Sequence, residues 1–288
     1  MTDTTVLATG LRFGEGPRWH AGRLWLSDMY DHAVKSVGPG GGGDVRVEVE
    51  VPGQPSGIGW MPDGTLLVVS MLDRSLLRLA DGVLVQHADL SGVAAWHCND
   101  MVVDAQGNAY VGNFGFDLHR AESTRDFSTA APASLALVRP DGTVTSAADD
   151  LAFPNGTVIT PDGRTLIVAE SMGRRLTAFT RHDDGTLGDR RVWADLGRRL
   201  PDGICLDADG AIWFANAGGP ECVRVREGGK VLDVIDTGDH CYACMLGGAD
   251  GTTLFMLTSA SSHPDRTTTE RSGRVLVSSA PAPGAGLP

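Results

Sequence analysis

The chain has 288 residues, enough for one large domain or two small ones; 42% are apolar and 38 are glycine, which suits a turn-rich globular fold. Its formal net charge of −12 argues against a sequence-independent grip on nucleic acid, which needs Lys and Arg to neutralise phosphates. The five cysteines are odd in number and the chain is too long to need a disulfide scaffold; Cys241 and Cys244 form a C-x-x-C without partners at zinc-finger spacing and read as small buried hydrophobes.

The N-terminus lacks a charged region followed by an apolar one, and no apolar run approaches the roughly 20 residues of a membrane helix. A cytoplasmic protein without a membrane partner is the expectation. The segment "TTVLATGL" (4–11) precedes a repeating unit and could pair with C-terminal strands to close a ring. The unit is a turn followed by an apolar, β-prone run: "HAGRLWLSDM" (20–29), "MPDGTLLVVSM" (61–71), "DAQGNAYVGNF" (104–114), "TPDGRTLIVAES" (160–171), "DADGAIWFANA" (207–217) and "GADGTTLFMLTS" (248–259). Between the first two, "GPGGGGD" (38–44) contains G-x-G-x-x-G but precedes a strand-like run and opens no helix, so it reads as a hairpin connection. The turn glycines are Gly22, Gly64, Gly107, Gly163, Gly210 and Gly251, at intervals of 42, 43, 56, 47 and 41. That is the period of a β-propeller blade, a four-stranded antiparallel sheet. Further short strands are predicted at 75–80, 135–140, 175–181, 222–227 and 273–279. The long interval is due to 115–133, read as a surface loop that could form the rim of a site. The expectation is a single all-β, six-bladed propeller over 1–288, with 280–288 as a frayed tail too poor in large apolar residues to pack.

Eight residues before each turn glycine stand Ser56, Asn99, Asn155, Asp202 and Ala243; the first turn is one residue shorter and aligns Glu15 with them. In a propeller the innermost strands surround one channel, so these six positions form a ring facing the axis. Two carboxylates and two carboxamides converging there favour a hard cation, calcium first, which takes six to eight oxygen ligands at about 2.3–2.6 Å. Magnesium, manganese, zinc or iron(II) also accept such donors. For any one of these residues, bonding to local backbone is the competing explanation. The sequence has neither H-E-x-x-H nor G-x-S-x-G, which disfavours a zincin or serine-hydrolase route.

The residues that carry this ring resemble the SMP-30/gluconolactonase/LRE family over essentially the whole chain. "FGEGPRW" (13–19), "CNDMVVDAQGNAYVGNFG" (98–115), "FPNGTVITPDGRTLIVAES" (153–171) and "LPDGICLDADGAIWFANAGG" (200–219) match family segments in order. The resemblance implies a six-bladed propeller with a divalent metal in its channel and hydrolysis of small lactones. It implies Glu15, Asn155 and Asp202 as metal ligands, Asp202 also as a possible base, and Asn99 beside metal and substrate. Asp100 recurs in the family as well and is expected near the substrate. Two departures stand out: His97 occupies a place where sugar lactonases often carry a substrate-contacting Arg, and "CYACMLGG" (241–248) replaces a more polar stretch. Both suit a less hydroxylated substrate, with His97 contacting it or carrying protons, although strand alternation could turn His97 away from the channel. Trp96 and Tyr242 could equally be blade core. The partner expected is a small lactone or ester; the chain itself would be a monomer or homodimer. A phosphotriesterase or arylesterase on the same site, and a non-catalytic metal-binding regulatory protein, are the alternatives.

Overall fold

A computed structural model describes residues 4–40 and 44–288; the centre of the glycine-rich connection, 41–43, and the first three residues lie outside the described residues. The apolar runs form six four-stranded antiparallel sheets, the blades of a propeller. In blade 1 the order from the innermost strand outward is Gly14–His20, Arg23–Asp28, Ala33–Val37 and Val45–Glu50. The innermost strands of blades 2 to 6 are Pro55–Trp60, Cys98–Val103, Pro154–Ile159, Pro201–Leu206 and His240–Gly247. The recurring turns join the two innermost strands of each blade. Their six glycines all have positive φ, between 70° and 87°, where a Cβ would be strained. In the Asp-Gly turns the aspartate caps the loop: Asp63, Asp162 and Asp250 accept the backbone N–H of Thr65, Arg164 and Thr252 at 2.9, 3.0 and 3.0 Å.

The ring closes by mixing the two ends of the chain. Thr5–Leu11 is the outermost strand of blade 6 and pairs with Gly273–Ser279, Thr5 opposite Val277 and Leu11 opposite Gly273. Apolar side chains fill the spaces between blades, with Trp213, Phe214, Tyr110 and Phe255 among the largest fully buried. All five cysteines are free and buried, and the Cys205 and Cys244 sulfurs touch at 3.9 Å.

One irregularity recurs six times. The ladder between the two innermost strands slips between Glu15 and Arg18, Pro55 and Ile58, Cys98 and Met101, Pro154 and Thr157, Pro201 and Ile204, and Cys241 and Ala243. A bulge re-aims side chains and sharpens the local twist, and in each blade it lies at or beside the ring position. In four blades the next residue is glycine, and the reason is contact between neighbouring blades. A Cβ on Gly57 would lie 2.4 Å from the Met101 nitrogen, and one on Gly156 2.5 Å from the Ile204 nitrogen. Innermost strands therefore meet backbone to backbone, which brings the ring residues together.

The tail departs from expectation. Residues 280–288 are packed rather than frayed, because backbone groups rather than large side chains hold them. Ala280 N–H donates to the Thr252 carbonyl at 2.7 Å and Ala285 N–H to the Leu206 carbonyl at 2.9 Å, while Ile159 and Leu287 exchange hydrogen bonds at 2.7 and 2.9 Å. The tail thus crosses the turn-side ends of the innermost strands of blades 6, 5 and 4, away from the ring residues. The stretch 115–133 likewise contains a short helix, α1, Leu118–Thr124. A second one, α2, Pro264–Thr267, lies between the last two strands of the chain.

Two substitutions separate the interblade contact from general glycine effects. Gly156→Ala should lower stability by about 1–3 kcal/mol through overpacking against backbone. Gly92→Ala, with no atom within 4 Å of the added Cβ, should stay within about 0.5 kcal/mol of wild type; urea melts of both would check this. Removing 280–288 should cost a few kcal/mol, at about 1 kcal/mol per lost hydrogen bond. A thermal midpoint unchanged by the truncation would contradict the packed tail.

Candidate metal and substrate site

At the end of the channel opposite the tail, Glu15, Asn99, Asn155 and Asp202 line one cavity of about 160 Å³. They are 6%, 5%, 4% and 8% exposed, so their polar atoms are largely removed from water. Ser56, the ring residue of blade 2, is buried and its Oγ donates to Asn99 Oδ1 at a long 3.5 Å; Ala243 fills the sixth place without a polar group. The Asn155 amide is oriented by its Nδ2, which donates to Ser171 Oγ at 3.2 Å, and Ser171 in turn donates to the Pro201 carbonyl at 2.6 Å. This leaves Asn155 Oδ1 buried without a hydrogen-bond partner among the described residues. Such an atom costs about 1–3 kcal/mol unless something completes it.

The charges are also incomplete. Three carboxylates, Glu15, Asp100 and Asp202, influence one another here, and one cation answers them: Arg18, 2.9 Å from Asp100 and as buried as its partner. Among the described residues no lysine or arginine acts on Glu15 or Asp202. Burial first, then each neighbouring negative charge, holds both carboxyls well above the ordinary carboxylate range. Arg18 balances Asp100, so the charge left on the axial ring itself, that of Glu15 and Asp202, equals in size that of one divalent cation. Among the described residues no three His, Cys, Asp or Glu side chains group so as to hold a metal. A cation would therefore draw on Glu15, Asp202 and amide oxygen. This all-oxygen set, with Asn155 Oδ1 unclaimed, fits a hard ion such as calcium.

The remaining walls are mostly apolar: Phe13, Met29, Phe114, Phe153, Leu200 and Tyr242. Phe13 packs edge-on against Tyr242 at 4.8 Å, and Phe114 stacks on Phe153 at 4.8 Å. Phe153, with φ at 66°, sits in the left-handed region that bulky residues seldom adopt, immediately before the strand carrying Asn155.

Two residues expected at the substrate lie elsewhere. Asp100 follows Asn99 in the bulge, but its carboxylate is taken by Arg18 and by the Met101 N–H at 2.8 Å, and it does not line the cavity. His97 is also outside the lining; its ring stacks on Trp96 at 5.2 Å, and burial lowers its pKa. Tyr242 belongs both to the core and to the cavity wall.

Sequence reasoning missed Met29, Phe114, Ser171 and Ala217. Each directly follows the second strand of its blade, and its N–H donates across to the carbonyl of Phe13, His97, Phe153 or Leu200, the residue before the innermost strand. Extending the repeat alignment by one strand would have found them as a second ring. It also missed His119 and Glu122 of α1, which close the cavity from the other side. Their signal was Asp117, whose side chain caps the helix by accepting the Arg120 N–H at 3.0 Å.

A six-bladed propeller with an oxygen-lined, negatively charged axial cavity is the class of protein that fold and site define. Residues 13–260 match the model of the SMP-30/Gluconolactonase/LRE-like region, and the chain belongs to this family. It is 27% identical to the pentonolactonase XacC of Haloferax volcanii, over 90% of this chain and 85% of that one. Among solved structures, a gluconolactonase from Xanthomonas campestris superposes with a TM-score of 0.73 at 25% identity, covering 96% of this chain and 90% of that one. A calcium-binding protein, regucalcin, from Agrobacterium tumefaciens strain C58 shares the fold, with a TM-score of 0.79 at 22% identity over 99% and 95% of the two chains.

Raised carboxyls make the metal-free fold bind more protons than the unfolded chain. Its stability should therefore fall as pH rises above the ordinary carboxylate range. Glu15→Gln or Asp202→Asn should leave the chelator-treated protein as stable as wild type or more so, by on the order of 1 kcal/mol. Excess calcium should raise the melting temperature of wild type and leave both variants nearly unmoved. Equal calcium responses in all three would contradict the ligand assignment.

Proposed function

We propose that this chain is a divalent-cation-dependent lactonase that opens the ester ring of a small lactone. The supporting observation is the pair of buried carboxylates, Glu15 and Asp202, that share with an unpartnered amide oxygen a cavity whose described lining holds no lysine or arginine. The family relationship, and a relative named for pentonolactone hydrolysis across nearly the whole chain, turn a cation site into a reading of activity.

Glu15, Asn155 and Asp202 would hold the cation, calcium by the chemistry of the donors, with Asn99 beside it. Bound there, it would polarise an ester carbonyl and acidify water. Asp202 combines charge, burial and position at the channel mouth, and serves as the base that takes the proton of the attacking water. Asn99 can orient the ester, since its own hydrogen bonds, to Ser56 and the Pro154 carbonyl, are both long at 3.5 Å. The phenylalanine and leucine walls exclude water from the reacting carbonyl. They offer few partners to hydroxyl groups, which favours a lactone less hydroxylated than gluconolactone.

Chelator-stripped protein, tested by pH-stat against aliphatic, aromatic and sugar lactones with cations added back, should release acid only with a divalent ion. Asp202→Ala should lower kcat/KM by at least about 10²-fold and abolish tight cation uptake. Full activity in that variant would remove Asp202 from the reaction. Cation uptake by wild type without acid release from any ester would identify a binding protein instead.

A further inference from the structure

Ring opening has two proton demands, and the residues around Glu15 and Asp202 answer only the first. The attacking water must lose a proton, and the departing ring oxygen must gain one, because an aliphatic alkoxide is a poor leaving group. The amides of Asn99 and Asn155 are too weakly acidic to supply it. The opposite side of the cavity holds another pair of groups. Helix α1 contributes Leu118, His119 and Glu122 to the same lining as Glu15, Asn99, Asn155 and Asp202. His119 and Glu122 are three residues apart, so one helix face carries both. His119 Nδ1 lies 3.8 Å from Glu122 Oε2, too far for a hydrogen bond, yet both atoms are buried and neither has a hydrogen-bond partner among the described residues. A base–orienter pair is often this loose before ligand binds and tightens in the complex.

The helix is anchored, which makes the pair more than a chance feature of a mobile loop. Ser123 Oγ meets His263 Nε2 at 2.9 Å, and the His263 ring lies edge-on to that of His119 with centroids 5.9 Å apart. His263 itself caps α2, accepting the Asp265 N–H. Tyr30 donates to the carbonyl of Ser262 at 3.0 Å, which ties this second insertion to blade 1.

We propose that His119, oriented by Glu122, is the general acid that protonates the leaving ring oxygen, an inference that rests on the lactonase reading above. Water loses its proton to Asp202 and its oxygen bonds to the carbonyl carbon. The bond from that carbon to the ring oxygen then breaks, its electron pair passing to the ring oxygen. That oxygen takes the Nε2 proton of the His119 imidazolium, while Nδ1–H is held towards the Glu122 carboxylate. Neutral His119 regains a proton from solvent and Asp202 loses one to it, so lactone and water yield the hydroxy acid with no net change in the protein. The two halves of the reaction fall on opposite walls of the cavity, acid on the helix and base on the axial ring.

Leaving-group dependence tests this directly. Calcium-loaded wild type, His119→Gln and Glu122→Gln would be compared on an aliphatic lactone, which expels an alkoxide, and on dihydrocoumarin, which expels a phenoxide needing little help. His119→Gln should lower kcat/KM on the aliphatic lactone by about 10²–10⁴-fold and on dihydrocoumarin far less. Glu122→Gln should show the same selectivity with a smaller loss. Equal losses on both substrates, or no loss on the aliphatic one, would overturn the acid role while leaving the lactonase reading intact. Wild type inactive on both substrates would overturn the lactonase reading and this inference with it. The calcium-induced rise in melting temperature should be unchanged in both variants; its loss, with equal losses on the two substrates, would make the pair structural.

Discussion

Two carboxylates buried at the same place, with no lysine or arginine among the described residues to meet them, are the constraint on which this structure turns. Glu15 and Asp202 come from blades that are far apart in sequence, and both are more than nine-tenths buried. A protein pays for such an arrangement in stability, and Arg18 shows that the chain can neutralise a buried carboxylate in this neighbourhood when it does so for Asp100. That Glu15 and Asp202 are left over, beside a buried amide oxygen without a partner among the described residues, is what the proposed cation site rests on.

The fold makes this convergence possible by backbone means. Six bulges at one level of the channel redirect side chains, and glycines beside four of the ring residues let neighbouring innermost strands touch. Of the two exceptions, Cys244 in blade 6 and Asp100 in blade 3, the second is informative. There the place of the glycine is taken by Asp100, whose side chain is accommodated by its ion pair with Arg18 of blade 1, across the channel wall. The other end of the channel is crossed by the C-terminal segment, so access to the carboxylates is from the side of α1 and α2. The axial ring is rigid sheet, whereas the far wall is built from insertions, the part of a propeller free to vary with substrate.

Much of this was legible in the sequence because a repeat converts spacing into position. Turn glycines at recurring intervals gave the blades, and counting back eight residues, or seven from the shorter first turn, gave Glu15, Asn99, Asn155 and Asp202 as neighbours. The closure by residues 4–11 followed from the need to leave no open seam. Three things were not legible, each for a physical reason. The last nine residues are held by main-chain hydrogen bonds, which leave no trace in side-chain composition. Helix α1 spans seven residues, too few for a periodic pattern to stand out from a polar loop. The placements of His97 and Asp100 depend on which way a bulged strand turns consecutive side chains, and only the contacts with Trp96 and Arg18 decide that.

The most direct test of the central claim is a diffraction map from crystals grown with millimolar calcium. The account predicts a single strong peak on the axis, with carboxylate oxygens of Glu15 and Asp202 and Oδ1 of Asn155 each at about 2.3–2.6 Å. A cavity filled only with water under those conditions, with the two carboxylates turned apart, would contradict it.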